Sequence, residues 1–381
     1  MRILFLQKVD NANGGITNVN INLMSYFLSM NYQVDVVALR HGDTWEDINY
    51  PQGVNKYLIN GKDVWGCPRL KEILQELKRG NIIRVFQLLK ERLVYKRQIS
   101  LDYRRCKKEI ESLNPDVIIN SHYELLRGIG EQDLGKTIMH FHTNFEQVMA
   151  NSSYIRTFKK YADKIFSFVW LSEATKNKAI SHGLTNSICI YNPLSFSEQR
   201  CADMANKKMI FVGRLSNEKR VHLAIEYFKE VVRDDRFADW VFEIYGSGEL
   251  VEEVKDDINN HHQIIYKGQT EKVNEVMLDS SLLVLTSSFE GMPLVVLEAS
   301  ECGVPALAYD FGESSHEVIM DGITGVVVPQ NDEKMFKDMM QRLFEDEDYR
   351  FKLSSECKKF AKSFALENVG RTWLNLFEDM R

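Results

Sequence analysis

Proline is scarce, only 7 of 381 residues, while hydrophobic residues make up 44% and charged residues 27% of the chain. Such values exclude a disordered, collagenous or low-complexity chain. No run of about 18 uncharged apolar residues occurs, so no transmembrane helix is expected. Met1 leads straight into RILFLQ without a charged leader and cleavage site, so no secretory signal is expected and a cytosolic location is the default. Cysteine is thin as well: Cys67, Cys106, Cys189, Cys201, Cys302 and Cys357 show no C-x-x-C spacing, which argues against a zinc site or a disulfide framework and for free thiols. No G-x-G-x-x-G follows the first strand, so a nicotinamide cofactor loses support. With a net charge of −6 and no aromatic-basic motif, nucleic acid is a poor partner.

What is present is length and alternation. At roughly 150 residues per domain the chain holds about two domains. RILFLQ (2–7), YQVDVVAL (32–39), PDVIINSH (115–122), KTIMHFH (136–142), KIFSFVWLS (164–172) and NSICIYN (186–192) are short apolar runs separated by helical or turn segments. They read as parallel strands buried on both faces. The series restarts at KKMIFVG (207–213) and continues through WVFEIYG (240–246), QIIYKG (263–268), SLLVLTSS (281–288) and PALAYD (305–310), each followed by a helical pattern. Two β-α-β series imply an α/β chain of two Rossmann-like domains, 1–195 and 196–364, joined near Asn192-Pro193 to Asn206. Residues 365–381 form an amphipathic helix with Val369, Trp373 and Leu376 on one face, able to dock on either domain. Sheet order is not legible at this level.

In open α/β sheets ligands lie beyond the carboxyl ends of the strands, where helix N-termini favour anions. Four strand-to-helix turns are candidates. Asn11-Ala12-Asn13-Gly14-Gly15-Ile16 lets backbone approach a phosphate or sugar closely, or is a plain tight turn. Gly213-Arg214-Leu215-Ser216-Asn217-Glu218-Lys219-Arg220 puts three cations at a sheet edge, as a diphosphate needs; a solvated basic loop is the alternative. Gly246-Ser247-Gly248 reads more readily as a close-packed turn than as a ligand contact. In SSFEGMPLVVLEASECGVP, Glu290 and Gly291 end a turn, Pro293 sits in the first helical turn, and Glu298 lies further along the helix. Free N–H groups near Leu294 and Val295 can there bind phosphate between two carboxylates that hold sugar hydroxyls.

FVGRLSNEKR, EIYGSGEL, the E-x7-E of SSFEGMPLVVLEA and CGVPALAYDFGESSHEVIMDGITGVVV together resemble the nucleotide-sugar half of the retaining glycosyltransferases of family 4. The likeness runs through most of residues 207–328. The first half matches in outline, through Gly14-Gly15, the strand ending in His142, LSEATKNKAI and ICIYNPL. The resemblance implies a GT-B fold, two Rossmann-like domains facing across a cleft, with the C-terminal helix able to cross back to the first. It implies donor-diphosphate binding by Arg214 and Lys219, with Gly213 at the head of their turn. Glu290 then lies near the transferred sugar, Glu298 on ribose hydroxyls, and the amides after Gly291, at Leu294 and Val295, on phosphate or sugar. Thr270 lies where the base would sit, Gly15 and Gly14 approach the diphosphate, and His142 reaches the donor sugar. Glu290, Arg214, Lys219 and His142 form the implied catalytic set. One departure is Gly312-Glu313-Ser314-Ser315 where many members have two glycines.

Breaking an anomeric C–O bond to a nucleoside diphosphate requires the charge on the leaving group to be neutralised, by a metal or by fixed cations. The cations are present, so no metal or other cofactor is expected. An Asp-x-Asp at Asp346 and Asp348 follows a helical segment, not a strand, and reads as a solvated helix end. The activity that the resemblance implies is transfer of a hexosyl or N-acetylhexosaminyl unit from a nucleotide sugar, a UDP-sugar by preference, to a glycan or lipid-linked glycan. A nucleotide-sugar epimerase and a silent sugar-binding homologue are the alternatives.

Charge is unevenly spread: residues 1–199 carry 26 basic and 20 acidic side chains, the remainder 22 and 34. Residues 69–109 alone hold 13 basic and 5 acidic, the whole surplus of the first half. Within 69–97, Leu70, Ile73, Leu74, Leu77, Ile83, Phe86, Leu89 and Leu93 recur at helical spacing among Lys and Arg, with a break expected at Gly80-Asn81. Such a stretch either lies on an anionic membrane surface or turns its stripe into the core. The first option would place a cytoplasmic protein at the inner face of the plasma membrane.

Overall fold

The computed structural model describes residues 1–10, 15–41, 48–60, 67–68, 70–150 and 152–380. In the first half, β1 (Arg2–Asp10), α1 (Gly15–Ser29), β2 (Gln33–His41), β3 (Asn55–Asn60), α2 (Leu70–Lys78), α3 (Ile82–Leu113), β4 (Val117–Asn120), β5 (Thr137–His140), α4 (Phe145–Ala150), α5 (Ser152–Tyr161), β6 (Ser167–Trp170), α6 (Glu173–Ser181) and β7 (Ser187–Cys189) follow in order. The second half runs β8 (Lys208–Val212), α7 (Val221–Val231), β9 (Val241–Tyr245), α8 (Val251–Ile258), β10 (Ile264–Gly268), α9 (Val273–Leu278), β11 (Leu282–Leu285), α10 (Leu294–Glu301), β12 (Ala306–Tyr309), α11 (Ser315–Val318), β13 (Gly325–Val328), α12 (Glu333–Glu345), α13 (Glu347–Ala361) and α14 (Leu366–Glu378). The strands form two parallel Rossmann-like sheets, ordered β3-β2-β1-β4-β5-β6-β7 and β10-β9-β8-β11-β12-β13.

In the second sheet strand order reverses between β8 and β11, which pair directly through Leu282 with Met209 and Leu283 with Ile210. The loops leaving these neighbours turn to opposite faces and leave a crevice at their carboxyl ends. Those loops are residues 213–220 and 286–293, two of the four candidate turns. The strands alternate between two cores, as a sheet covered on both faces must. Met209, Phe211, Leu282 and Val284 join one cluster, and Ile210, Leu283 and Leu285 join the other.

The chain divides into two compact units. One comprises Met1–Phe141, Asn151–Val169 and the residues from Phe377 on; the other comprises His142–Ala150 and Trp170–Leu376. Within the first, the ring of Phe377 lies 5.3 Å from that of Phe27. Val369, Trp373 and Leu376 of the terminal helix are buried, as its amphipathic pattern requires.

The expected break at Gly80-Asn81 is present: Gly80 has φ +71°, and the Asn81 side chain caps α3 by accepting the Arg84 N–H at 3.2 Å. The stripe of this hairpin is not core. Ile73, Val85 and Leu88 form a small cluster of their own, while Leu70, Leu74, Leu77, Ile82, Ile83, Phe86 and Leu93 are exposed. Arg69, at the head of the stretch, lies outside the described residues. No described helix is long and apolar enough to cross a membrane.

Two strands escape the sequence reading. β3 is an edge strand with no buried residue, half of its six being exposed, and β13 is a buried strand of four, GVVV. β5 ends at His140, two residues before the expected His142, although the Phe141 N–H still donates to Val169 O at 3.0 Å.

Candidate active site

The crevice of the second sheet is built backbone first. The 213–220 turn is pressed against the 246–248 loop: Gly213 N–H donates to Tyr245 O at 3.0 Å, and Leu215 N–H to Ser247 O at 2.8 Å. A Cβ on Gly246 would stand 1.8 Å from Gly213 O, and one on Gly248 2.2 Å from Leu215 O. Both glycines have positive φ, +141° and +155°. Gly-x-Gly is thus the close-packed turn, and its function is to seat the cationic loop.

On the other side the 213–220 turn is fixed to the end of β11. Ser288 N–H donates to Glu218 O at 2.8 Å, and the Thr286 hydroxyl donates to the carbonyls of Lys219 and Arg220 at 3.1 and 2.8 Å. This brings Lys219 to Glu290: the ammonium and carboxylate form a short, partly buried ion pair. The Ser287 hydroxyl donates to the same Glu290 oxygen at 2.7 Å, a partner that the sequence reading did not select. Arg214 is exposed and makes no ion pair with a described residue.

Arg220 behaves differently from its neighbour. Its left-handed backbone, φ +48°, turns the guanidinium into the scaffold. There it donates to Thr286 O at 2.7 Å and to the side-chain oxygens of Gln330 and Asn331 at 2.6 and 3.0 Å. Gln330 in turn donates to Ser287 O and Asp310 O, both at 2.9 Å. Of the three cations in this turn, Arg220 is a tie between loops. Gln330 was missed because β13, which delivers it to the carboxyl edge, was missed.

Past Glu290, Gly291 carries no side chain because none fits: a Cβ there would stand 2.7 Å from His142 O and 3.2 Å from Thr143 Cα. The main chain of His142 therefore lies directly on the head of the α10 loop. α10 follows Pro293, and the N–H groups of Leu294 and Val295 find no acceptor among the described residues, whereas Val296 N–H bonds to Pro293 O at 3.2 Å. Glu298 sits on the second turn of α10. Burial pushes its carboxyl above the usual carboxylate range, with the neighbouring Ser195 hydroxyl offsetting this in part.

The remaining sequence candidates are dispersed. The Thr270 hydroxyl is occupied locally, accepting the Lys272 N–H at 3.0 Å. Gly15 opens α1 in the first unit with open space around it, and Gly14 lies outside the described residues. Gly312-Glu313-Ser314-Ser315 is an Asp310-centred turn in which Ser315 hydroxyl and Gly312 N–H donate to Asp310 at 2.5 and 3.2 Å. Glu317 of α11 caps α6 by accepting the N–H groups of Glu173 and Ala174 at 2.8 and 2.9 Å. Asp346 is the N-cap of α13, accepting the Tyr349 N–H at 2.8 Å, which accounts for the Asp-x-Asp as a helix end.

Residues 196–364 match the family model described as Glycosyl transferases group 1. The matched region is the part of the chain that builds the second sheet and its crevice. A relative of Haemophilus influenzae, named Uncharacterized glycosyltransferase, is 23% identical over 381 residues, 97% of each chain. The UDP-Gal:alpha-D-GlcNAc-diphosphoundecaprenol alpha-1,3-galactosyltransferase of Escherichia coli is 28% identical over 139 residues, 35% of this chain and 36% of that one. The chain spans only about a quarter of another relative, Exopolysaccharide phosphotransferase SCO2592 of Streptomyces coelicolor, 27% identical over 58% of this chain and 24% of that one. Among solved structures, a mutant of Staphylococcus aureus TarM in complex with fondaparinux, alpha-GlcNAc-glycerol and UDP superposes with a TM-score of 0.76 at 15% identity, over 99% of this chain and 100% of that one. Anabaena Alr3699/HepE in complex with UDP gives 0.75 at 16% identity over the whole of both. At these identities the structures speak for the fold, which is GT-B.

Proposed function

We propose that this chain is a retaining, family 4 glycosyltransferase that moves a hexosyl or N-acetylhexosaminyl unit from a nucleotide-diphosphate sugar, a UDP-sugar by preference, to a glycan or lipid-linked glycan. Cell-surface polysaccharide synthesis is its setting. The observation that carries the reading is the Lys219–Glu290 pair in the crevice between β8 and β11, beside the free amides of α10. Its relatives favour the same donor and acceptor chemistry: the Escherichia coli enzyme uses UDP-Gal and a diphosphoundecaprenol-linked sugar.

In this reading Arg214 and Lys219 hold the diphosphate together with the Leu294 and Val295 amides. The bond between the anomeric carbon and the diphosphate oxygen breaks, its electron pair goes to that oxygen, and the cations stabilise the charge without a metal. The acceptor hydroxyl attacks from the same face and gives its proton to the departing oxygen. Glu290 positions the sugar, Glu298 binds ribose, Thr270 meets the base, and His142, Gly15 and Gly14 complete the donor's surroundings. The exposed apolar and basic hairpin of α2 and α3 holds the enzyme on the anionic inner face of the plasma membrane. Donor hydrolysis measured across UDP- and GDP-sugars, with Lys219→Ala in parallel, tests the assignment. Turnover of one nucleotide series that disappears in the variant is expected; turnover indifferent to Lys219 refutes it.

A further inference from the structure

The first unit contains a cavity of 520 Å³ lined by Arg127, Arg156, Thr157, Lys160 and Tyr161. Three of these five are cations, and no carboxylate is among them. Two elements build it. The 3₁₀ turn Tyr123–Gly128, at the carboxyl end of β4, supplies Arg127, and α5 supplies the rest. Arg156 and Lys160 are four residues apart and so share one face of α5.

The two elements are locked together by aromatic rings. Tyr123 lies 3.6 Å from Tyr154 between ring centroids, Tyr154 lies 5.8 Å from Phe158, and Phe158 packs on Phe141 and Phe168 at 5.6 and 5.8 Å. The backbone positions that carry Arg127, Arg156 and Lys160 are therefore fixed relative to one another, while the three side chains themselves are exposed. Lys160 lies 4.8 Å over the Tyr161 ring, a cation–π contact that orients its ammonium. Glu131, the acidic group that feels Lys160, is already ion-paired with Lys164. Arg127 and Lys160, neither ion-paired with a described residue, offer the cavity a guanidinium fork and an ammonium, the charge and donor types that a phosphate takes.

We propose that this cavity is an acceptor subsite that binds a phosphate group carried by the acceptor. It rests on the reading of the chain as a transferase, but its direct test does not. Inorganic phosphate and pyrophosphate are titrated calorimetrically into the full chain carrying Lys219→Ala, so that this donor-site cation does not contribute. The same chain with Arg127→Gln and Lys160→Gln should bind at least tenfold more weakly, and Arg127→Lys, which keeps the charge but not the fork, should fall between the two. Equal affinity in the double variant overturns the proposal. Vesicles separate the two sources of phosphate: flotation with phosphatidylglycerol should be the same in the double variant and its parent. A loss of flotation with phosphate affinity retained assigns the cations to lipid headgroups and overturns the subsite. In otherwise wild-type protein the double variant should raise the acceptor KM for a phosphate-bearing acceptor and leave donor hydrolysis unchanged. If the parent hydrolyses no nucleotide sugar, the transferase reading fails while the phosphate titration still decides the cavity.

Discussion

Lys219 and Arg220 are adjacent cations that the fold sends to different tasks. Lys219 faces Glu290, while the left-handed backbone at Arg220 directs its guanidinium onto Thr286 O and Gln330. Lys219→Ala should lower kcat by about 10² to 10³, the usual effect of losing one donor aimed at developing charge. Its effect on stability should be smaller than that on turnover, although Glu290, whose side chain is only 12% exposed, loses its counter-ion. Steady-state kinetics beside thermal unfolding check both halves of that expectation. Arg220→Ala should show the reverse emphasis, a clear loss of unfolding temperature, because several carbonyl and amide partners lose their donor together.

Glu298 carries a pH signature. Its pKa is raised in the folded chain by burial, so the folded state binds this proton more tightly than the unfolded state does. The stabilisation is complete below the unfolded value of about 4.3 and is lost as pH rises through the raised folded value. Glu298→Gln removes the ionisation and keeps the shape. The variant should therefore unfold at a higher temperature than wild type at pH 7, and the two curves should converge toward pH 4. In the proposed role as ribose ligand, the same substitution should raise the donor KM with kcat nearly unchanged. A stability difference that does not vary with pH would contradict the burial argument, and an unchanged KM would remove the ribose role.

At the scale of elements, the crevice depends on two loops that touch through backbone alone. Gly246→Ala adds a Cβ 1.8 Å from Gly213 O at a backbone angle that L-residues rarely adopt. Strain and overpacking together should cost about 2–6 kcal/mol, and the displaced Arg214 turn should raise the donor KM. Gly312→Ala is the control: its φ is +116°, but nothing lies within 4 Å of the new Cβ, so only the conformational cost of about 1–3 kcal/mol remains. Denaturant unfolding of both variants distinguishes a packing role from a merely flexible turn.

These elements also show what a sequence carries. Most buried parallel strands announce themselves because both faces must be apolar, so β8, β9, β11 and β12 are legible although the equally buried β13 escapes, and the E-x7-E is legible because it starts at a turn and ends on the helix that follows. β3 is not, because an edge strand with exposed residues has no such run. Strand order is not written locally either, and it is the adjacency of β8 and β11 that brings Lys219 to Glu290 across 71 residues. The different fates of Lys219 and Arg220 depend on one backbone angle that neither residue type announces.

For the molecule as a whole, the uneven charge resolves into one exposed hairpin. Among the described residues, the apolar cluster that α2 and α3 share is Ile73, Val85 and Leu88, which leaves Ile83 at 76% and Phe86 at 68% exposure, with Leu70, Leu74, Leu77, Ile82 and Leu93 also open. So many exposed large hydrophobics on two adjoining helices exceed the scattered surface residues of ordinary chains and mark a docking face. Lys and Arg side chains interleave with them, and each near an anionic surface would contribute about 1 kcal/mol, so in the proposed reading the apolar and the basic contributions act together. The protein should float with phosphatidylglycerol vesicles and not with pure phosphatidylcholine. Ile83→Asp with Phe86→Asp should reduce that binding by more than tenfold without lowering the unfolding temperature, because neither side chain is buried. At 1 M salt, where screening shortens to about 3 Å, wild-type binding should weaken yet persist through the apolar contribution. Flotation that ignores both lipid charge and the double substitution would mean that the stripe faces something other than a membrane.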